Sequence, residues 1–499
     1  MEYVIGIDLG TSGVKILLVN RKGQIVYEVN KQYPIFHEKV GYSEQNPEDW
    51  VEQTIVGLKE VVKYVEGYEK NIRGISFSGQ MHGLVLLDEN YHVLRNAILW
   101  NDTRTTAECE KIYEIVEKDR LLKITKNLAL EGFTLPKILW VKEHEPDIFS
   151  KVNKFVLPKD YVRYRLTGKL CTDYSDAAGT LLLDVAKKEW SLEICKLLKL
   201  DPEILPPLVE SFEQVGTINK EIANLTGLIE GTPVFAGGAD NACGAIGAGI
   251  LDDGKTLCSI GTSGVVLSYE SSGEKDFEGK IHYFNHGAPN AYYTMGVTLS
   301  AGHSLSWFKE TFAKEESFHH LLEGISKIPV GANGLLYTPY ISGERTPHAD
   351  ANIRGSFIGI DSSHTRDHFV RAVLEGITFS LAESIEIFRE KGKTINRIVS
   401  IGGGAKNEVW LQIQADIFDA NVIRLDSEQG PAMGAAMLAA YGIGWFSSLQ
   451  ECAEEFIKIE KEYKPNLGNV EKYKELFKIY KDIYYHTKNL NEELLVFRK

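Results

Sequence analysis

The pentapeptide Gly10-Thr11-Ser12-Gly13-Val14 recurs unchanged at Gly261-Thr262-Ser263-Gly264-Val265, about half a chain further on. Average composition gives about 0.1 chance recurrences of this kind in a chain of this length, so identity alone does not decide its meaning. The flanks add to it. Tyr3 to Asp8 and Lys15 to Val19 are apolar runs around the first copy, and Thr256 to Ile260 and Val265 to Tyr269 surround the second. Each copy reads as the tip of a β-hairpin. Two unrelated hairpins would look the same; the alternative is two homologous domains, each presenting a backbone-rich loop to one phosphate tail. Glycines let amide N–H groups approach phosphate oxygens, and Thr and Ser hydroxyls add donors. Asp8 would repel a phosphate held there unless a cation lies between them, which marks it as a candidate for holding Mg²⁺, through water.

A length of 499 residues gives a prior of roughly three domains, and two large ones fit equally well. The repeat places a boundary near Leu251 to Lys255, dividing the chain into 1–250 and 251–499. A formal charge of −14 opposes general binding to nucleic acid or to anionic membranes. No stretch approaches 18 uninterrupted apolar residues, and no signal-peptide pattern precedes Tyr3. The six cysteines, Cys109, Cys171, Cys195, Cys243, Cys258 and Cys452, are scattered without metal-binding spacing, as expected of a reduced, cytoplasmic protein.

Helices alternate with strands in both halves. Asn46-Pro47 opens an amphipathic helix with Val51, Ile55, Leu58, Val62 and Val65 on one face. Thr365 to Gly392 reads as a long helix, followed by the strand Ile398 to Ile401 and the glycines Gly402 to Gly404. Gln429-Gly430-Pro431 opens an alanine-rich helix, Ala432 to Tyr441. This order predicts an α/β architecture. From Val470, Tyr473, Phe477, Tyr480 and Tyr484 recur at helical spacing, for packing on their own domain or for a partner.

Gly249 to Thr256 matches the P-loop pattern GxxxxGK[ST]. A P-loop follows a strand and opens a helix. Here small residues from Asn241 to Gly249 read as helix and Thr256 to Ile260 as strand, so the order is reversed, and Asp252 and Asp253 stand where anion-binding amides are needed. The segment is expected to be an Asp-Asp-Gly turn.

Asp240, in Gly237-Gly238-Ala239-Asp240-Asn241-Ala242 after the strand Val234 to Ala236, is placed either to cap the next helix or to take a proton from a bound hydroxyl. Ser78-Gly79-Gln80-Met81-His82-Gly83 offers hydrogen-bonding tips and an adaptable apolar wall to a polyhydroxylated ligand, although a histidine in a bend is often structural. Trp100 to Arg104 reads as a polar turn or a sugar platform.

Together these segments resemble the FGGY carbohydrate kinases. The likeness is carried by IGIDLGTSGVK (Ile5–Lys15), SEQNPEDW (Ser43–Trp50), SGQMHG (Ser78–Gly83), ILWNDTR (Ile98–Arg104), LPKDY (Leu157–Tyr161), SDAAGT (Ser175–Thr180), GGADNACGAIG (Gly237–Gly247) and SGERTPH (Ser342–His348). Two spaced patterns extend it, Gly132-Phe133-Thr134 through Lys137 and Trp140 to Glu143-His144, and Gly355 to Gly359 through His368-Phe369 to Glu375.

The resemblance implies two actin-like, ribonuclease-H-like ATPase domains around a cleft, with sugar deep on the N-terminal side and ATP mainly on the C-terminal side. It implies Asp240 as catalytic base, Asp8 near Mg²⁺ and the γ-phosphate, and Met81, His82 and Asn241 as sugar contacts. Thr11, Ser12, Gly261 and Thr262 correspond to the phosphate loops, and Gly403, Gly404 and Asn407 to the adenosine side. The sequence Gln80-Met81-His82-Gly83 is most similar to the branch that phosphorylates D-xylulose. The partners implied are a small ketose and MgATP, and a homodimer is compatible with the family. Three alternatives remain open: a kinase of another ketose or of gluconate, a non-catalytic sugar sensor, and an actin-like or chaperone-type ATPase, which leaves SGQMHG and GGADNA unexplained.

Overall fold

The computed structural model describes residues 1–427 and 430–498. Two seven-stranded sheets organise them. In the first, the antiparallel run Ile25–Gln32, Gly13–Asn20, Tyr3–Leu9 continues into the parallel neighbours Ile72–Gly79 and Pro233–Phe235 and ends on antiparallel Gln214–Thr217. The second repeats this order with Tyr292–Thr298, Gly264–Glu270, Thr256–Ile260, Arg397–Gly402, Asn421–Leu425 and Ile459–Tyr463. Each GTSGV copy therefore joins the same two strands of a duplicated α/β unit, as the repeat predicts, in the two-domain ATPase architecture that the resemblance implies. The second sheet carries an additional edge strand, His282–Asn285, beside Tyr292–Thr298.

The helices form where the sequence places them. Asn46 Oδ1 accepts from the Glu48 amide at 3.1 Å and caps the helix Pro47–Tyr64, which buries Trp50, Val51, Leu58, Val61 and Val62. The helix Arg366–Glu390 starts on a Thr365/His368 capping box and is buried on most of its surface, polar Arg371, Glu375, Ser380 and Glu383 included, so its buried charges need partners such as the Arg371–Glu375 bridge at 2.8 Å. The C-terminal helix Leu467–Glu493 packs on its own half. Tyr473 and Tyr480 join Phe379, Leu336 and Ile483 in one cluster, and the Tyr473 hydroxyl donates to Glu375 Oε1 at 2.7 Å.

The alanine-rich helix Gly430–Gly442 joins the halves; Gln429, read as its opening, lies outside the described residues. Its Ala432, Met433, Ala436 and Met437 share a core with Val4, Leu17 and Val19 of the first sheet, and with Cys243 and Ile246 of the helix Asp240–Gly247. Small residues are required there: a Cβ on Gly434 would stand 1.8 Å from the Cys243 carbonyl oxygen, and one on Gly6 2.1 Å from that of Ala432. The P-loop-like stretch lies between that short helix and the strand Thr256–Ile260, with Gly254 N donating to Asp252 Oδ1 at 2.7 Å; it is a turn, as its context requires. All six cysteines are buried and unpaired. Among the described residues, no helix is long and apolar enough to cross a membrane.

Candidate functional site

Two parallel ladders bring the proposed acids together. Asp8 lies opposite Ser78 on the strand Ile72–Gly79, and Gly238-Ala239, pairing with Ser78-Gly79 on the other side of that strand, deliver Asp240 at the start of its helix. Burial pushes the Asp8 carboxyl up to about 6, against the pull of Ser78 and Lys15. Burial, followed by the nearby charge of Asp8, pushes Asp240 up to about 7. The Asn241 amide at 2.7 Å and its Nδ2 at 3.0 Å both donate to Asp240 Oδ1 and oppose that rise. A carboxyl poised near neutrality is suited to accepting a proton from a hydroxyl. Asp240 is the first residue of its helix, with Ala239 at the N-cap position, and its carboxylate accepts the amide of the next residue in that first turn.

Met81, His82 and Asn241 meet beside these acids. Asn241 Nδ2 lies 3.6 Å from Met81 Sδ, and the Tyr293 hydroxyl approaches that sulfur at 3.9 Å from the C-terminal half. His82 has φ +66°, a costly conformation for a non-glycine residue. Its carbonyl is held by Thr134 Oγ1 at 3.1 Å and Lys137 Nζ at 3.0 Å, which accounts for the Gly132-Phe133-Thr134 to Lys137 pattern. Burial pulls the Lys137 ammonium down to about 7. His82 Nδ1 lies 2.6 Å from the Gly179 carbonyl, so Nδ1 carries the proton; burial and Lys137 pull the imidazole down to about 3, keeping it neutral. Nε2 is therefore a lone-pair acceptor. A Cβ on Gly179 would stand 2.8 Å from Nδ1, which is why SDAAGT needs that glycine.

The first loop is braced from several motifs. Gln45 Nε2 donates to the Thr11 carbonyl at 2.7 Å, and Gln45 Oε1 accepts from Trp50 Nε1 at 3.0 Å and Gln80 Nε2 at 3.1 Å. Trp100 Nε1 donates to Thr11 Oγ1 at 2.9 Å, and the Tyr33 hydroxyl donates to the Gly10 carbonyl. SEQNPEDW thus braces the first loop through Gln45 and Trp50. Trp100 to Arg104 is a turn in which Asp102 accepts from Arg104 Nε at 2.9 Å and the Ser43 amide at 2.6 Å. Thr11 is half-buried, whereas Ser12 is exposed.

In the second half, Gly261, Thr262, Gly403 and Asn407 line one cavity of about 620 Å³ together with Gly302, His303, Lys406 and Trp410. The loop is pinned by Gly302 N on the Gly261 carbonyl at 2.8 Å and His303 N on the Thr262 carbonyl at 3.0 Å. Asn407 caps the following helix through the Trp410 amide at 3.0 Å. Gly404 is not a lining residue: a Cβ there would stand 2.5 Å from Ile260 Cδ1, so it serves close packing beneath the cavity. Thr11 and Ser12 belong with the first loop and do not line this cavity.

Sequence reasoning missed an ionic network beneath Asp240. Lys159 Nζ is fully buried and lies 2.7 Å from Asp160, 2.7 Å from Asp173 and 3.0 Å from Asp176; Arg163 adds a 2.8 Å bridge to Asp160 and donates to the Ala236 carbonyl at 2.6 Å. The three carboxylates are close enough to hold a metal ion, but the Lys159 ammonium already stands among them. Three carboxyls against two cations leave one in excess, and burial, with Asp160 and Asp173 adding repulsion, holds Asp176 well above the usual carboxylate range. Asp173 Oδ2 accepts from the Ser175 amide at 2.9 Å and Ser211 Oγ at 2.8 Å, and Ser175 Oγ accepts from Ala239 N at 3.0 Å, one residue before Asp240. LPKDY and SDAAGT were visible motifs, but charges so close in sequence gave no sign that they converge in the interior.

The N-terminal domain model of the FGGY family of carbohydrate kinases matches residues 3–247, and the C-terminal domain model of that family matches residues 256–443. A xylulose kinase of Bacillus subtilis is 64% identical over 499 residues, with 100% of both chains covered. The solved structure of ligand-bound xylulose kinase from Lactobacillus acidophilus superposes with a TM-score of 0.94 at 28% identity, covering 99% of this chain and 100% of that one. Gluconate kinase from the same organism gives 0.93, also at 28%, covering 97% and 98%; backbone shape alone does not separate the two sugars. Duplicated sheets, paired loops and the acids between them coincide with a family match across both halves, and the chain belongs to the FGGY family of carbohydrate kinases.

Proposed function

We propose that this protein transfers the γ-phosphoryl group of ATP to the terminal hydroxyl of D-xylulose, giving D-xylulose 5-phosphate and ADP, with the sugar held mainly by 1–250 and the nucleotide mainly by 251–499. The observation that carries the reading is the convergence of Asp240, Asn241 and Met81, with His82 next to Met81 in sequence, in a chain 64% identical to a xylulose kinase over its whole length. A plain ATPase has no use for such a polar pocket.

Asp240 accepts the hydroxyl proton as the oxygen attacks the γ-phosphorus in line, and ADP leaves. Asn241 holds the carboxylate and orients a sugar hydroxyl through its amide. His82 Nε2 accepts from another hydroxyl; a wrong epimer leaves such groups unpaired, which sets sugar choice. Loop amides at Thr11, Ser12 and Thr262 receive the phosphates, Gly261 lets the backbone approach them, and closure of the halves excludes water.

Asp8 suits a divalent cation. The charge of Asp8 raises the proton affinity of Asp240, and a carboxyl pushed up to about 6 mainly by burial gains from a cation beside it. Mg²⁺ held there would neutralise developing charge on the transferred phosphoryl group. Buried, unpaired cysteines agree with work in the reducing cytoplasm.

The direct test is coupled ADP release with D-xylulose, D-ribulose, L-ribulose, gluconate and glycerol as acceptors. D-xylulose is expected to give the highest kcat/KM. A better rate with gluconate or another ketose would replace the substrate and leave the kinase class standing.

A further inference from the structure

The additional edge strand His282–Asn285 docks onto the N-terminal half through two side chains: Asn285 Nδ2 donates to the Val185 carbonyl at 3.2 Å, and Asn127 reaches the strand from the other side of the contact. Asn127 Nδ2 donates to the carbonyls of Tyr283 at 2.8 Å and Thr125 at 2.9 Å, while its Oδ1 accepts from the Tyr283 amide at 3.2 Å. These partners fix the amide orientation. His282 Nδ1 lies 3.1 Å from that same Oδ1, an oxygen that only accepts, so Nδ1 of His282 carries the proton and Nε2 has the lone pair.

His282 therefore has the same tautomer as His82, and the two rings flank one aromatic wall. Phe133 lies 4.6 Å from His82 and 5.8 Å from His282, centre to centre, and Phe284 lies 6.2 Å and 5.7 Å from them. Among the described residues neither Nε2 has a protein partner, and the His282 Nε2 is not sealed from solvent. Both imidazoles are buried enough to remain neutral, and both lie in the field of Arg345. An open acceptor edge beside an apolar wall, next to the residues that hold Met81, is what a polyhydroxylated ligand needs: faces for its C–H bonds and acceptors for its hydroxyls.

We propose that His282 is a second specificity-determining contact for the sugar, supplied by the C-terminal half, with Nε2 accepting a hydrogen bond from a ketose hydroxyl. The proposal rests on the functional reading above and adds to it that sugar selection is divided between the halves, with Asn127 as the positioning residue that fixes the reading edge of His282.

The test compares wild-type enzyme with His282→Phe, which keeps a ring against Phe133 and Phe284 and removes the acceptor. Expected is a rise in the KM for D-xylulose of roughly 5- to 20-fold, weaker discrimination against D-ribulose, and an unchanged KM for ATP. An unchanged sugar KM and epimer preference would overturn it. Should the variant not fold, selective ¹⁵N-histidine labelling of the wild-type chain reads the same contact: D-xylulose added without ATP is expected to shift the His282 Nε2 resonance, and a resonance that stays fixed at saturating sugar overturns the proposal. If the wild-type enzyme phosphorylates no ketose, the functional reading fails first, and the two failures are distinguished.

Discussion

In the first GTSGV hairpin Leu9 pairs with Val14, and Gly10 to Gly13 form the turn; in the second Ile260 pairs with Gly264, and Gly261 to Ser263 suffice. Five identical residues adopt two registers. The cause lies outside the pentapeptide. In the first half, Tyr33 and Gln45 hold the carbonyls of Gly10 and Thr11 from the side; in the second, the amides of Gly302 and His303 hold those of Gly261 and Thr262. The one-residue difference changes which side chains face inward: Val14 is buried and Val265 half-buried. Two positions before the glycine, Asp8 in the first half is matched by Ser259 in the second. A shared turn thus stands in two settings, the first beside the buried acids Asp8 and Asp240 and the second at the mouth of a cavity.

If that division is right, changes in the two halves separate kcat from nucleotide KM. The largest effect is expected for Asp240→Ala, which should lower kcat by ~10² or more with little change in ATP affinity; near wild-type turnover would remove the base. Asp8→Ser makes the first hairpin like the second, and turnover should fall at least roughly tenfold with a weaker response to Mg²⁺ titration. An intact metal response would show that the acid does not distinguish the two loops. Gly302→Ala places a Cβ 2.4 Å from the Gly261 carbonyl oxygen. Displacing that loop should cost ~1–3 kcal/mol, read as a higher KM for ATP at unchanged sugar KM. The smallest effect concerns pH. A base active only as its carboxylate, with a pKa near 7, gives a kcat/KM that rises with pH through that value. Asn241→Ala removes a donor that stabilises the carboxylate, so this limb should move to higher pH by about one unit or less; a shift to lower pH would contradict the assigned hydrogen bond.

The duplicated framework was legible because a repeated pentapeptide with strand-like flanks is a local signal, and because Asn46, Pro47 and Thr365 mark helix starts in ways that depend on near neighbours. Asp8, Asp240, Met81 and His82 were legible as motif residues. What was not legible depended on distant partners. Nothing near Asn127 or His282 announces that they meet across the halves, and Gly404 looks like a phosphate glycine until Ile260 is seen beneath it. The tight packing of Lys159 with three aspartates was equally hidden, since its energy comes from mutual neutralisation in the interior.

The helix Gly430–Gly442 has a consequence for how the enzyme tolerates change. Its glycine at 434 touches the backbone of the helix that begins with Asp240, nearly two hundred residues earlier in the chain. The map of inactivating substitutions is therefore expected not to centre on the acids alone: a side chain at Gly434 must push against the Cys243 carbonyl of the helix that Asp240 begins, so a position with no chemical group of its own is constrained by the proposed base it lies behind.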